Sequence, residues 1–166
     1  YYFDALGASG GTILARLLDP FGRSVWQTQF NNNVETQVLP SSGTYTLLIE
    51  GYIFNTPSPA SYSFNLQKVT DTTAALAVGA TTTGAISQAG QKNSFTFSLA
   101  QASRLVFDSL SNDSQLSWTL TGPRGVEVNN RSLTSSDFAN FSPNPTLDLI
   151  AGAYTLTVDA SGDHTG

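Results

Sequence analysis

The 166-residue chain has no cysteine, no methionine and a single histidine, His164, and only 11% of its residues are charged. Without thiols there is no disulfide framework and no thiolate zinc site, and one imidazole has no second nitrogen to share a zinc ion with. A Ser-His-Asp arrangement needs the imidazole held between a hydroxyl and a carboxylate. His164 sits in the Gly-containing stretch Ser161–Gly166 and is expected as a solvated side chain, so no catalytic residue is assigned and the chain is read as not an enzyme. The seven basic residues, Arg16, Arg23, Lys68, Lys92, Arg104, Arg124 and Arg131, are scattered and outnumbered by twelve acidic ones, for a net charge of −5. With no cluster able to neutralise a run of phosphates, nucleic acid is excluded as a partner. No apolar run approaches the roughly twenty residues of a membrane-spanning helix, and no charged-then-apolar leader opens the chain, so membrane insertion is not expected. With no Met, and with a strand-like pattern already at Tyr1-Tyr2-Phe3, the chain is expected to be an internal or processed segment of something longer.

What is present is 40% hydrophobic and 11% aromatic residues, with 14 Gly and 7 Pro, enough to build cores and many turns. The polar surface must be made of Ser, Thr, Asn and Gln, which suits exposed sheet faces. One stretch occurs twice: Phe3-Asp4-Ala5-Leu6 matches Phe107-Asp108-Ser109-Leu110, Pro20-Phe21-Gly22 matches Pro123-Arg124-Gly125, and Gly43-Thr44-Tyr45-Thr46-Leu47 matches Gly152-Ala153-Tyr154-Thr155-Leu156. The last block is displaced further because the second copy carries six extra residues. A period this long is a domain duplication rather than a short solenoid unit. The expected division is a first unit over 1–69, a connector over 70–81 rich in Thr and Ala, and a second unit over 82–166.

Alternation of period two dominates. Ile13, Ala15 and Leu17 read as one inward face, closed by the turn Asp19-Pro20-Phe21-Gly22. Segments 25–30 and 34–39 flank Asn31-Asn32-Asn33 and are expected to form a hairpin. Tyr45, Leu47 and Ile49, then Tyr62, Phe64 and Leu66, then Phe95, Phe97 and Leu99, and finally Tyr154, Leu156 and Val158 repeat the pattern. Phe3, Leu17, Tyr45, Leu47 and Ile49 are the expected core of the first copy. Phe97, Phe107, Trp118, Leu120, Tyr154, Leu156 and Val158 are that of the second. Phe138 and Phe141 are expected to pin the long polar stretch between Val128 and Leu147. No helix of three turns survives this reading, and the class is all-β.

Taken as one unit, Phe95-x-Phe97-x-Leu99, Leu105-x-Phe107-Asp108, Leu116-x-Trp118-x-Leu120-x-Gly122-Pro123-x-Gly125 and Gly152-Ala153-Tyr154-Thr155-Leu156-x-Val158 resembles the bacterial pre-peptidase C-terminal domain. The resemblance covers 84–158 well and 1–66 as a partial copy. It implies two tandem antiparallel β-sandwich modules, jelly-roll-like, in a non-catalytic accessory role, and occurrence on secreted peptidases or in arrays within very large surface proteins. The family pattern has an acidic residue near the first full strand, where this chain has Gln91-Lys92-Asn93.

The remaining chemistry is carboxylate and aromatic. Asp108, Asp113, Asp159 and Asp163 fall at strand ends, where Asp either bonds its own backbone in a turn or contributes to a calcium site of six to eight oxygens. No cofactor is required by any motif, and calcium is the one metal these residues suit. Trp118 alternates with core positions, whereas Trp26 aligns with Asn129 and, with Tyr52 and Phe54, is the candidate exposed ligand contact. Asn112-Asp113-Ser114, Asn130-Arg131-Ser132 and Asn140-Phe141-Ser142 match the glycosylation pattern, as Asn/Ser-rich turns do by chance. The expected function is a structural or adhesive repeat of an extracellular or cell-surface bacterial protein, contacting other copies or adjacent repeats and assembling head to tail into an array or filament. The alternative is a carbohydrate-binding accessory module of a secreted hydrolase. Each copy is expected to lack a strand: the first has nothing equivalent to Gly84–Ser103, and the second stops before a counterpart of Tyr62-x-Phe64-x-Leu66.

Overall fold

The computed structural model describes residues 1–53, 59–138 and 146–166, and the protein is all-β, with no α-helix among the described residues. The chain divides into two compact units, Tyr1–Val69 and Thr70–Gly166.

In the first unit, β2 (Ile13–Leu18) lies between β3 (Ser24–Gln29) and β4 (Thr46–Gly51), all antiparallel. Its alternation is what the sheet uses: Ile13, Ala15 and Leu17 are buried, and Arg16 on the other face pairs with Glu50 of β4 across 3.4 Å. That half-exposed ion pair is worth at most about 1 kcal/mol, whereas each buried aliphatic contributes roughly 1.5–3 kcal/mol. The β2–β3 turn closes on Asp19, whose carboxylate accepts from the Phe21 and Arg23 amides at 2.9 Å. A separate pair joins β1 (Tyr2–Ser9) to β5 (Ser61–Gln67), Phe3 opposite Leu66 and Ala5 opposite Phe64. The core is aromatic: Phe3 and Phe30 are each 1% exposed and meet edge-on at 5.8 Å, and Phe64, itself exposed, stacks on Phe3 at 5.6 Å from outside.

The hairpin expected at Asn31–Asn33 does not form. Asn33 instead accepts from the Ala5 amide at 2.8 Å and donates to the Tyr2 hydroxyl at 2.8 Å, so the chain leaves β3 and crosses to β1. There Val34 makes an isolated antiparallel bridge to Phe3, and Gln37 exchanges hydrogen bonds with Tyr1.

The second unit begins earlier than expected. The stretch 70–81 is not merely a connector, because β6 (Thr72–Ala75) pairs in parallel with β7 (Lys92–Leu99) as the edge of a five-stranded sheet. Asp71 caps this arrangement by accepting from the Lys92 amide at 2.9 Å, and Thr72 donates to Asn93 at 2.6 Å. The sheet continues through β12 (Gly152–Ala160) and β9 (Leu116–Gly122) to β10 (Gly125–Ser132). A second sheet pairs β8 (Ser103–Val106) with β11 (Thr146–Leu149). Trp118, Leu120, Tyr154 and Leu156 are buried between neighbours from both sheets, and Phe107 lies flat on Trp118 at 4.0 Å. Phe138 does not pin the long connection. It is 55% exposed, and the connection is held instead by buried Leu133 in a short 3-10 turn (Leu133–Ser135) and by fully buried Ser136. Phe141 lies outside the described residues.

The two units use one ladder. Leu17 faces Leu47 between β2 and β4, and Leu120 faces Leu156 between β9 and β12, with Ile13 opposite Gly51 and Leu116 opposite Ala160. These pairs are the equivalent positions of the repeated blocks, so the doubled sequence pattern corresponds to doubled strand register.

Candidate functional site

The two motifs that repeat most closely, Pro-x-Gly and Gly-x-Tyr, meet in space and do structural work. Gly43 and Gly152 have φ of +136° and +145°, and a Cβ on either would fall inside contact distance of a proline ring, Pro20 at 2.8 Å for the first and Pro123, closer still, for the second. Two residues on, the hydroxyl of Tyr45 donates to the Ser41 carbonyl at 3.0 Å and that of Tyr154 to the Ile150 carbonyl at 2.9 Å. A tyrosine reaching back a few residues to lock a turn is a recurring device of stacked antiparallel sheets. These residues are therefore committed to the fold.

The four candidate aspartates are not brought together, and among the described residues no group of three or more His, Cys, Asp or Glu converges. Asp108 accepts from the Phe138 amide at 3.0 Å, and Asp159 pairs with Lys92 at 2.7 Å. Asp113 accepts from the Gln115 amide at 2.9 Å, an Asx turn, and its other oxygen meets His164 Nε2 at 2.8 Å. Asp163 is exposed. The hydrogen bond from His164, followed by that from the Gln115 amide, holds the Asp113 carboxyl below its ordinary value. His164 is thus part-buried and partnered, not freely solvated. Sequence spacing carried no signal for this contact between residues 51 positions apart.

The aromatic candidates do not form an exposed platform either. Trp26 is half-buried, packs into the first core and lies 5.1 Å from the Phe3 ring. Its structural counterpart is Val128, not Asn129: Trp26 stands opposite Leu17 as Val128 stands opposite Leu120, because irregularities flank Val128 in β10. Tyr52 is half-buried, and Phe54 lies outside the described residues.

The second unit holds a cleft of about 620 Å³, lined by Phe95, Phe97, Leu105, Phe107, Trp118 and Leu156 among others. One wall is the loop 76–86, and the other is the segment Leu105–Ser111. That segment contains the Phe-Asp-x-Leu block, which in the first unit is the strand β1 and is paired along one edge with β5. In the second unit only Ser103–Val106 is strand, paired with β11 on one side, and no described strand occupies the other side.

Protein-family models, curated proteins and solved structures were all compared with the chain, and none matches.

Proposed function

We propose that the chain is a non-catalytic structural or adhesive repeat of an extracellular bacterial protein, built as two tandem jelly-roll-like β-sandwich modules that share strands with neighbouring copies or repeats. The reading rests on one observation. Each unit has an open strand edge where the other has a paired one. In the second unit β12 is flanked by β9 and β7, whereas β4, its equivalent in the first, is paired among the described residues with β2 alone. In the first unit β1 is paired with β5, whereas β8 has no such partner among the described residues. Open edges recruit other strands, and a heterologous contact repeated head to tail gives an array. The repeated Pro, Gly and Tyr blocks of the resemblance to the pre-peptidase C-terminal domain serve the fold, which agrees with an accessory role. A carbohydrate-binding role finds less support, since Trp26 is spent on the first core.

The test is sedentation velocity of the 166-residue chain over a hundredfold concentration range, with electron microscopy of the concentrated sample. Concentration-dependent oligomers or filaments are expected. A strictly monomeric species throughout would remove the assembly reading.

A further inference from the structure

We propose that the stretch from Thr72 to Ala85 is a releasable tether, folded back along the edge of the second unit, with both of its ends clasped by the side chain of Asn93. Release lengthens the chain ahead of the second core and leaves both cores intact. The inference rests on reading the chain as a structural repeat, and it gives that repeat a reserve of length.

Asn93 carries the argument. It is 5% exposed and uses both ends of its carboxamide: Oδ1 accepts from the Thr72 hydroxyl at 2.6 Å, and Nδ2 donates to the Ala85 carbonyl at 2.9 Å. Ala85 stands thirteen residues after Thr72, so a single buried side chain closes an excursion of that length. Within the excursion, β6 runs out along β7 as a parallel edge strand, and a turn in which the Ala80 amide bonds the Ala77 carbonyl begins the return. The stretch has no charged and no aromatic side chain, and Leu76 and Val78 are its only large apolar ones. From Thr70 to Ala85 every residue is exposed except half-buried Leu76, and burial resumes at Ile86. None of these residues belongs to either core. Burial of apolar surface therefore does little to hold the stretch, while fixing each of its residues costs backbone entropy. What holds it besides the clasp is the short β6 ladder, the Leu76 amide on the Thr96 carbonyl at 2.8 Å and the Lys92 amide on Asp71 at 2.9 Å. Elements secured by a few exposed hydrogen bonds open at free energies well below that of the whole unit. On its other side β7 is bound over its full length to β12, where Tyr154 and Leu156 are buried, so β6 leaves first. Because one carboxamide serves both ends, the two ends come free together. Extended at roughly 3.4 Å per residue, the thirteen residues reach about 45 Å.

The experiment stretches the full chain between handles at its two ends in an optical trap, beside hydrogen exchange of the unloaded chain. A first extension of about 45 Å is expected before either unit unfolds. Without load, the Leu76 amide is expected to exchange at least a hundredfold faster than the amides of β12. Thr72→Val removes one arm of the clasp at an exposed residue, and is expected to quicken Leu76 exchange tenfold or more while leaving β12 unchanged. The pair Thr73→Cys with Ser94→Cys joins positions that stand opposite each other in β6 and β7, in a chain with no other thiol. Its oxidation is expected to abolish the first extension, and reduction to restore it. Unfolding with no earlier step, a first extension that survives oxidation, or Leu76 exchange as slow as that of β12 would each overturn the proposal. If the cysteine pair does not oxidise, Thr72→Val decides, and unchanged Leu76 exchange in that variant removes the clasp. Failure here leaves the assembly reading standing on sedimentation, because that reading needs no reserve of length.

Discussion

The indole nitrogen of Trp118 donates to the hydroxyl of Ser136 across 2.8 Å inside the second core, and that hydroxyl in turn donates to the Ser132 carbonyl at 2.8 Å. Ser136 is fully buried and links the indole to the backbone inside the core. Ser136→Ala leaves a buried indole N–H unpaired and is expected to destabilise the second unit by about 1–3 kcal/mol. Urea unfolding followed by tryptophan fluorescence measures it.

Leu156 is 6% exposed and faces Leu120 across the ladder, while Thr155 and Thr157 on either side are only half-buried. Leu156→Ala is expected to cost about 2–5 kcal/mol, against well under half of that for Thr155→Ala. A reversed order in chemical denaturation would mean the strand is slipped by one residue, which exchanges its faces.

Gly43→Ala and Gly152→Ala each combine an unfavourable φ with a collision against proline. Each is expected to lower stability by about 1–3 kcal/mol. Adding Pro20→Ala to the first or Pro123→Ala to the second is expected to recover part of the loss, and a double-mutant cycle in thermal melts measures that recovery.

Asp113 titrates below its ordinary value of 3.8, first because of the hydrogen bond from His164 and then because of the Gln115 amide. A carboxyl lowered in the folded state stabilises the fold above its unfolded value, and that contribution disappears as pH falls through the lower folded value. The window is therefore below about pH 4. His164→Ala is expected to raise the Asp113 midpoint toward 3.8 while leaving Asp148, which is lowered first by its hydrogen bond from Arg104, unchanged. Carboxyl-carbon NMR titration reads both.

Millimolar calcium is expected to leave the melting temperature unchanged, since Asp108, Asp113 and Asp159 each hold an amide, an imidazole or an ammonium group rather than a common centre. An upward shift would reveal a native-state site that these contacts conceal.

Much of the ladder was readable because its causes are local. Alternation assigned the faces of β2, β9 and β12, and the doubled blocks matched the positions that pair as Leu17 with Leu47 and Leu120 with Leu156. Where the outcome depended on a distant partner, sequence was mute or misleading. Asn31–Asn33 reads as a hairpin until Asn33 is seen bound to Ala5 and Tyr2. Trp26 reads as exposed when aligned by residue count, and irregularities around Val128 undo that count. The Thr-rich stretch before Val78 reads as a connector because β6 draws its stability from β7, not from its own composition.

The contact of glycine against proline has a consequence for how this chain tolerates change. Pro20 with Gly43, and Pro123 with Gly152, close the base of the stretch that runs from β2 to β4 and from β9 to β12, and the second stretch is longer by six residues although the ladders above it keep the same register. Closing a loop costs only about 0.6 kcal/mol more for each doubling of its length. A clamp at the base thus separates the register of the two strands from the length of the stretch between them, even though part of that stretch, β3 and Phe30 in the first unit and β10, Leu133 and Ser136 in the second, belongs to the sheets and cores.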